Sequence, residues 1–226
     1  MIASLPLCFD GPMQSWGIRS RGIIRDTMPE PTKSGVVGLM AAAMGIDRDD
    51  DAALAELARL RLAVRVDREG VMERDYHTAQ NVPTTQGTGH RTVVSERYYL
   101  ADALFLVVLE GEESMLDRVA AAVRNPHWPL SFGRKAYVPA RPLLEPGGGP
   151  EPEPAEEILK RHQWLVRRDT PAEPLRTVVE CPPGTPGAEV RYDQPVSFRA
   201  NDRRFAARAV RIGEVVLTGE GAGRCS

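Results

Sequence analysis

The chain has 226 residues, 42% of them hydrophobic and 27% charged, with a net charge of −2. That length holds one large domain, or one domain with a smaller unit, around a core that needs no metal or disulfide staple. No run approaches ~18 uncharged apolar residues, so no transmembrane helix is expected, and the charge balance excludes a protein that coats nucleic acid by bulk charge. The first residues carry neither a basic n-region nor a long apolar stretch, so no secretory leader is expected. Cys8, Cys181 and Cys225 are widely spaced, without a C-x-x-C pair, which fits a reducing cytoplasm. His77, His90, His127 and His162 are scattered. No metal or other cofactor is expected.

In chain order, Leu5, Leu7 and Phe9 alternate with polar or small residues and predict a first strand, ended by Gly11-Pro12. Ser34 is placed to cap a helix through Val36, Val37, Leu39, Met40 and Met44, with Gly45 as its stop. Asp50 or Asp51 caps a short helix through Leu54, Leu57 and Leu60. Leu62, Val64 and Val66 predict a half-buried strand, with Val71 to Tyr76 returning beside it as a hairpin. The stretch from His77 to about Arg97 is polar and turn-rich and reads as a projecting arm. Ala103 to Leu109 is a buried strand. Ser114 to Arg124 is an amphipathic helix, and Ala140 to Leu144 closes the sheet. The order β-α-β-β-α-β is α+β and ferredoxin-like, as in RNA-recognition modules. Residues 1–144 form this domain, 145–157 (EPGGGPEPEPAEE) a mobile acidic loop or linker, and 158–226 a small β-rich C-terminal unit.

Charge changes sign in blocks. Only three of the 29 basic residues are Lys, and Arg forks suit phosphate and stack on bases. From Arg124 to Arg141 there is no acid, and from Arg191 to Arg211 six Arg face only Asp193 and Asp202. With Tyr137, Phe198 and Phe205 interleaved, these stretches favour a phosphate-binding surface. In the loop GPMQSWG, Trp16 is either a stacking platform or a buried anchor. Lys33-Ser34-Gly35 at a helix start is either a plain cap or an anion site; it lacks the glycines of a Walker loop. Tyr76 and His77 stand at the root of the arm, as an acid/base pair for RNA cleavage, as base contacts, or as structure. Gly133-Arg134-Lys135 after the second long helix favours phosphate over a solvated turn.

GPMQSWG, PTKSGVVGLMAAAMGI, RDYHT, RYYLADALF and LSFGRKAYVPARPL, in that order and spacing, resemble the CasD family from about Leu5 to Leu144. DQPVSFRANDRRF resembles the family's late basic segment. CasD is the subunit of the type I-E CRISPR surveillance complex Cascade that holds the 5′ handle of crRNA. The resemblance implies a ferredoxin-like body with a protruding thumb hairpin at about 77–97. It implies crRNA, the backbone subunit and the large subunit as partners, with no membrane and no small-molecule substrate. It also implies antiviral defence in the cytoplasm. The RNA-binding residues expected on this chain are Gln14, Ser15, Trp16, Gly17, Arg25, Lys33, Ser34, Gly35, Tyr76, His77, Thr78, Arg91, Arg97, Gly133, Arg134, Lys135 and Arg203. A type I-C relative cuts its own pre-crRNA, so a metal-independent endoribonuclease is the competing expectation, and a generic RNA-recognition adaptor the third. This chain shows no clear catalytic set, which favours binding alone.

Overall fold

The computed structural model describes residues 1–18, 23–84, 87, 89–166, 171 and 173–217; Cys225 lies outside them. In chain order the elements are β1 (Ile2–Asp10), β2 (Met13–Gln14), β3 (Ile24–Arg25), α1 (Lys33–Met44), α2 (Asp51–Ala58), β4 (Arg61–Arg68), β5 (Val71–Pro83), β6 (His90–Ala101), β7 (Leu104–Glu112), α3 (Glu113–Arg124), α4 (Ala155–Arg161), β8 (Leu175–Cys181), β9 (Glu189–Ser197) and β10 (Arg204–Val215). The architecture is α+β. The main sheet runs β1-β7-β4-β8-β10-β9, with every pairing antiparallel.

Both faces of this sheet are covered near β1, β7 and β4. Leu5, Leu7, Phe9, Leu62, Val64 and Val107 pack toward α1 and α3. Cys8, Ala63, Leu106 and Val108 pack toward Ile158 and Leu159 of α4. Burial there pushes the Cys8 thiol up to about 12, which leaves it protonated and unreactive. Coverage by α4 corrects the expectation of a half-buried β4. Its polar alternates Arg65 and Asp67 are buried, because Arg65 pairs with Asp67 (2.7 Å) and donates to the carbonyls of Leu159, His162 and Gln163 at the end of α4. Four orphan carbonyls end every helix, and here a buried guanidinium takes two of the nearest.

Three further expectations are corrected. The cap of α1 is Thr32, whose side chain accepts from the Gly35 N–H (3.3 Å), and Ser34 is buried inside the first turn. Ala140 to Leu144 follows the free edge of β1 without forming a strand: Ala140 N–H donates to Asp10 O (2.8 Å) and Cys8 N–H to Leu143 O (2.7 Å). Val71 to Tyr76 does not return along β4. Gly70, at φ 74, turns the chain away, and β5 pairs with β6 from Val71↔Ala101 to Pro83↔His90. Strand β6 also carries β2 and β3, so the arm is rooted in a second sheet.

The acidic 145–157 segment is docked, not a free linker. Ser4 and Glu151 exchange backbone hydrogen bonds of 2.8 Å, and Arg161 pairs with Glu151 and Glu153. The β-rich C-terminal strands extend the same main sheet through β8 on β4.

Candidate nucleic-acid interface

The first loop is built from within. The Gln14 amide donates to the carbonyls of Phe9 (3.1 Å) and Ala103 (2.8 Å), and its Oε1 accepts from Trp16 Nε1 (3.2 Å). Trp16 is 1% exposed and lies between Phe9 and Phe132, each ring centroid 5.7 Å away. Of the two readings of Trp16, the anchor holds: no face of the indole is open to a base. Gly35 makes this possible, since a Cβ there would sit 2.8 Å from Trp16 Cε3. Ser15 is buried, and its Oγ donates to Tyr98 O (3.4 Å). Gly17 is half-buried against Asp26.

Lys33 is not an anion contact. Its side chain is 0% exposed and paired with Glu180 (2.6 Å), and its Nζ also donates to Leu60 O. Burial pushes its pKa down, and the Glu180 carboxylate opposes that shift. The helix start is filled as well. Lys33 N–H donates to Asp193 Oδ2 (2.8 Å), so a carboxylate of β9 takes the place of an external anion. Asp193 is in turn held by Arg208 (2.7 Å).

Further candidates meet on the arm, where Tyr76, His77, Thr78 and Arg91 are exposed and Arg25 and Arg97 half-buried. Strand β3 runs parallel to β6, which sets Arg25 beside Arg97. Residue His77 opposes Ser95, and Asp75 opposes Arg97. Alternation then places Arg91, Arg97, Arg25 and His77 on one face, with Asp75 and Glu73, and Tyr76 and Thr78 on the other. Arg97 Nε donates to Ser95 Oγ (3.1 Å), and the His77 ring lies 3.9 Å from Asp75. Arg25 Nε is buried and without a hydrogen-bond partner. Tyr76 is 65% exposed beside Glu96 and Ile24. Asp75 and Ser95, which the sequence reading missed, orient the cationic face; strand alternation around His77 was their only signal.

Gly133-Arg134-Lys135 splits. Gly133 has φ 88, and a Cβ there would collide with Ser15 O. Arg134 ties the turn to β6: it donates to Tyr98 O (2.8 Å) and the Tyr137 hydroxyl (2.6 Å) and lies over the Tyr137 ring. Lys135 is exposed. Arg203 is exposed and lies over the rings of Phe198 and Phe205. Much of the remaining basic charge is spent inside the protein. Arg141 pairs with Asp10, Arg176 and Arg191 with Glu30, and Arg199 with Asp51. The second basic stretch is therefore largely paired with carboxylates, whereas in the first Arg141 meets Asp10 and Arg134 is held by a carbonyl and a hydroxyl. Among the described residues no group of three or more His, Cys, Asp or Glu side chains is placed to hold a metal, and no helix is long and apolar enough to cross a membrane.

Residues 4–211 match the family described as "CRISPR-associated protein (Cas_Cas5)". The CRISPR system Cascade subunit CasD of Escherichia coli (strain K12) is 30% identical over 202 aligned residues, 76% of this chain and 89% of that protein. A solved structure titled "Crystal structure of Cas protein" is similar at TM-score 0.75 and 42% identity, covering 93% of this chain and 94% of that one. Another, titled "CRISPR RNA-guided surveillance complex", gives TM-score 0.77 and 32% identity over 98% of this chain and 95% of that one. The chain belongs to the Cas5 family of CRISPR-associated proteins.

Proposed function

We propose that this protein is the non-catalytic RNA-binding subunit of a type I-E CRISPR surveillance complex and grips the 5′ handle of the crRNA in the cytoplasm. Its other partners are the complex's backbone subunit and large subunit. The observation that carries the reading is the register of the arm, which gathers Arg25, Arg97 and His77 on one face. A phosphate backbone needs such forks in a row, and sequence-independent charge contacts position RNA before bases are read. Gln14, Ser15, Gly17 and Gly133 support it by shaping the backbone of the loop beside the root of the arm, and Arg134 by fixing that loop to β6.

The same register weakens the nuclease reading. Metal-free RNA cleavage needs a base at the 2′-OH and an acid at the leaving oxygen on one phosphate. Tyr76 and His77 are adjacent in a strand and project to opposite sides. The other histidines sit at the tip of the arm (His90), after α3 (His127) and at the end of α4 (His162).

Handle retention in the assembled complex tests the proposal. Arg25→Gln and Arg97→Gln should each weaken it and reduce the slope of log affinity against log salt by roughly 0.7 per lost phosphate contact. An unchanged slope in both variants would take the RNA off this face.

A further inference from the structure

A cleft of about 380 Å³ opens at the end of the main sheet, lined by Asp10, Arg68, Leu104, Arg141, Leu165 and Val166 among others. Its polar groups come from three separate parts of the chain. Asp10 ends β1, Arg68 ends β4, and Arg141 comes from the segment on the free edge of β1. Arg141 Nε lies 3.0 Å from Asp10 Oδ2, yet it is buried and out of line for a hydrogen bond. The terminal nitrogen of Arg68 lies 3.9 Å from Asp10 Oδ1. One carboxylate faces two guanidiniums, so the cleft carries an excess positive charge, beside apolar walls of Leu104, Leu165 and Val166.

The cleft stands at the foot of the arm. Arg68 directly precedes the turn into β5, and its Nε donates to the carbonyl of Asp102, just past β6. Asp102 N–H donates to Pro12 O (3.1 Å), which joins the foot of the arm to the first loop. A strand of RNA lying along the arm would leave it at this point.

We propose that the cleft is a second RNA subsite, in which Arg68 and Arg141 hold one phosphodiester and the apolar walls take the attached ribose or base. The inference rests on the RNA-binding reading above. A phosphodiester suits the site because its two free oxygens can face both guanidiniums at once, while Asp10 spaces the forks and limits the net charge.

The test uses the full-length chain and a fluorescein-labelled single-stranded RNA carrying the repeat-derived 5′ handle, followed by anisotropy across a salt series. Arg68→Gln should weaken binding and lower the salt slope by about 0.7. Asp10→Asn should do the opposite and tighten binding about threefold, the effect of one unit charge a few ångströms away in high dielectric. A merely structural ion pair predicts no gain from Asp10→Asn. Arg68 is about half exposed, so its variant should keep the wild-type melting temperature; if it does not, Asp10→Asn decides alone. Unchanged affinity in both cleft variants, with Arg97→Gln still weakened, would overturn the cleft and spare the arm. Unchanged affinity in all of them would overturn both.

Discussion

Two residues that resemble RNA contacts in the sequence belong to the folding machinery. Trp16 fills the space between Phe9 and Phe132 and is tied by its N–H to Gln14. Trp16→Ala should cost about 3–5 kcal/mol of folding stability in urea denaturation. Lost handle binding at unchanged stability would restore the stacking role. Lys33 is the sharper case. A Lys-Ser pair at a helix start has the sequence signature of an anion site, and only the partners decide. Here they are the Leu60 carbonyl and, from the far end of the chain, Glu180 and Asp193. Nothing in the local sequence reveals them. Removing one member of a buried pair typically costs about 3–5 kcal/mol. Lys33→Ala should lose stability of that order and leave the salt slope of RNA binding, measured in whatever complex assembles, unchanged. A reduced slope at wild-type stability would return Lys33 to the RNA.

At the scale of elements, the periodic segments were legible: β1, α1, α2, β7 and α3 lie where their apolar spacing puts them. The arm was legible as an interruption but not in its attachment. Val71 to Tyr76 alternates like any strand, and alternation does not name the partner. Only Gly70 and the parallel strand β3, two residues long, turn it into a separate sheet. Within that strand, alternation alone sends Tyr76 and His77 to opposite sides. His77→Ala should therefore leave crRNA processing intact in cells that carry a separate processing subunit, with at most weaker complex assembly. Purified protein incubated with repeat RNA in EDTA provides the matching assay. Site-specific cleavage that vanishes in His77→Ala would make the protein a nuclease.

Across the whole molecule, charge acts chiefly as internal mortar. The blocks of Arg and of Glu look in the sequence like separate surfaces, basic and acidic. The fold brings them together, so their long-range complementarity shows only once strand order is known. Arg61 is the clearest junction. From β4 it reaches Glu110 on β7 (3.1 Å), Glu156 on α4 (3.0 Å) and the carbonyl of Glu180 on β8 (2.8 Å). The hydrogen bonds from Arg61 hold the Glu156 carboxyl below its usual range, against the opposing effect of burial. A carboxylate whose folded pKa is depressed binds fewer protons folded than unfolded. Its stabilising contribution is therefore complete above the ordinary value of 4.5 and fades as pH falls through the lowered folded value. Arg61 keeps its charge throughout, so the loss tracks the carboxylate alone. The urea midpoint should fall as pH drops below that ordinary value, and Glu156→Gln should start lower at neutral pH and show a shallower acid decline. The comparison is between slopes, because every other carboxylate is common to both proteins. Parallel acid limbs for wild type and Glu156→Gln would mean that α4 is held to the sheet by its apolar face, Ile158 and Leu159, with the ion pair contributing nothing measurable.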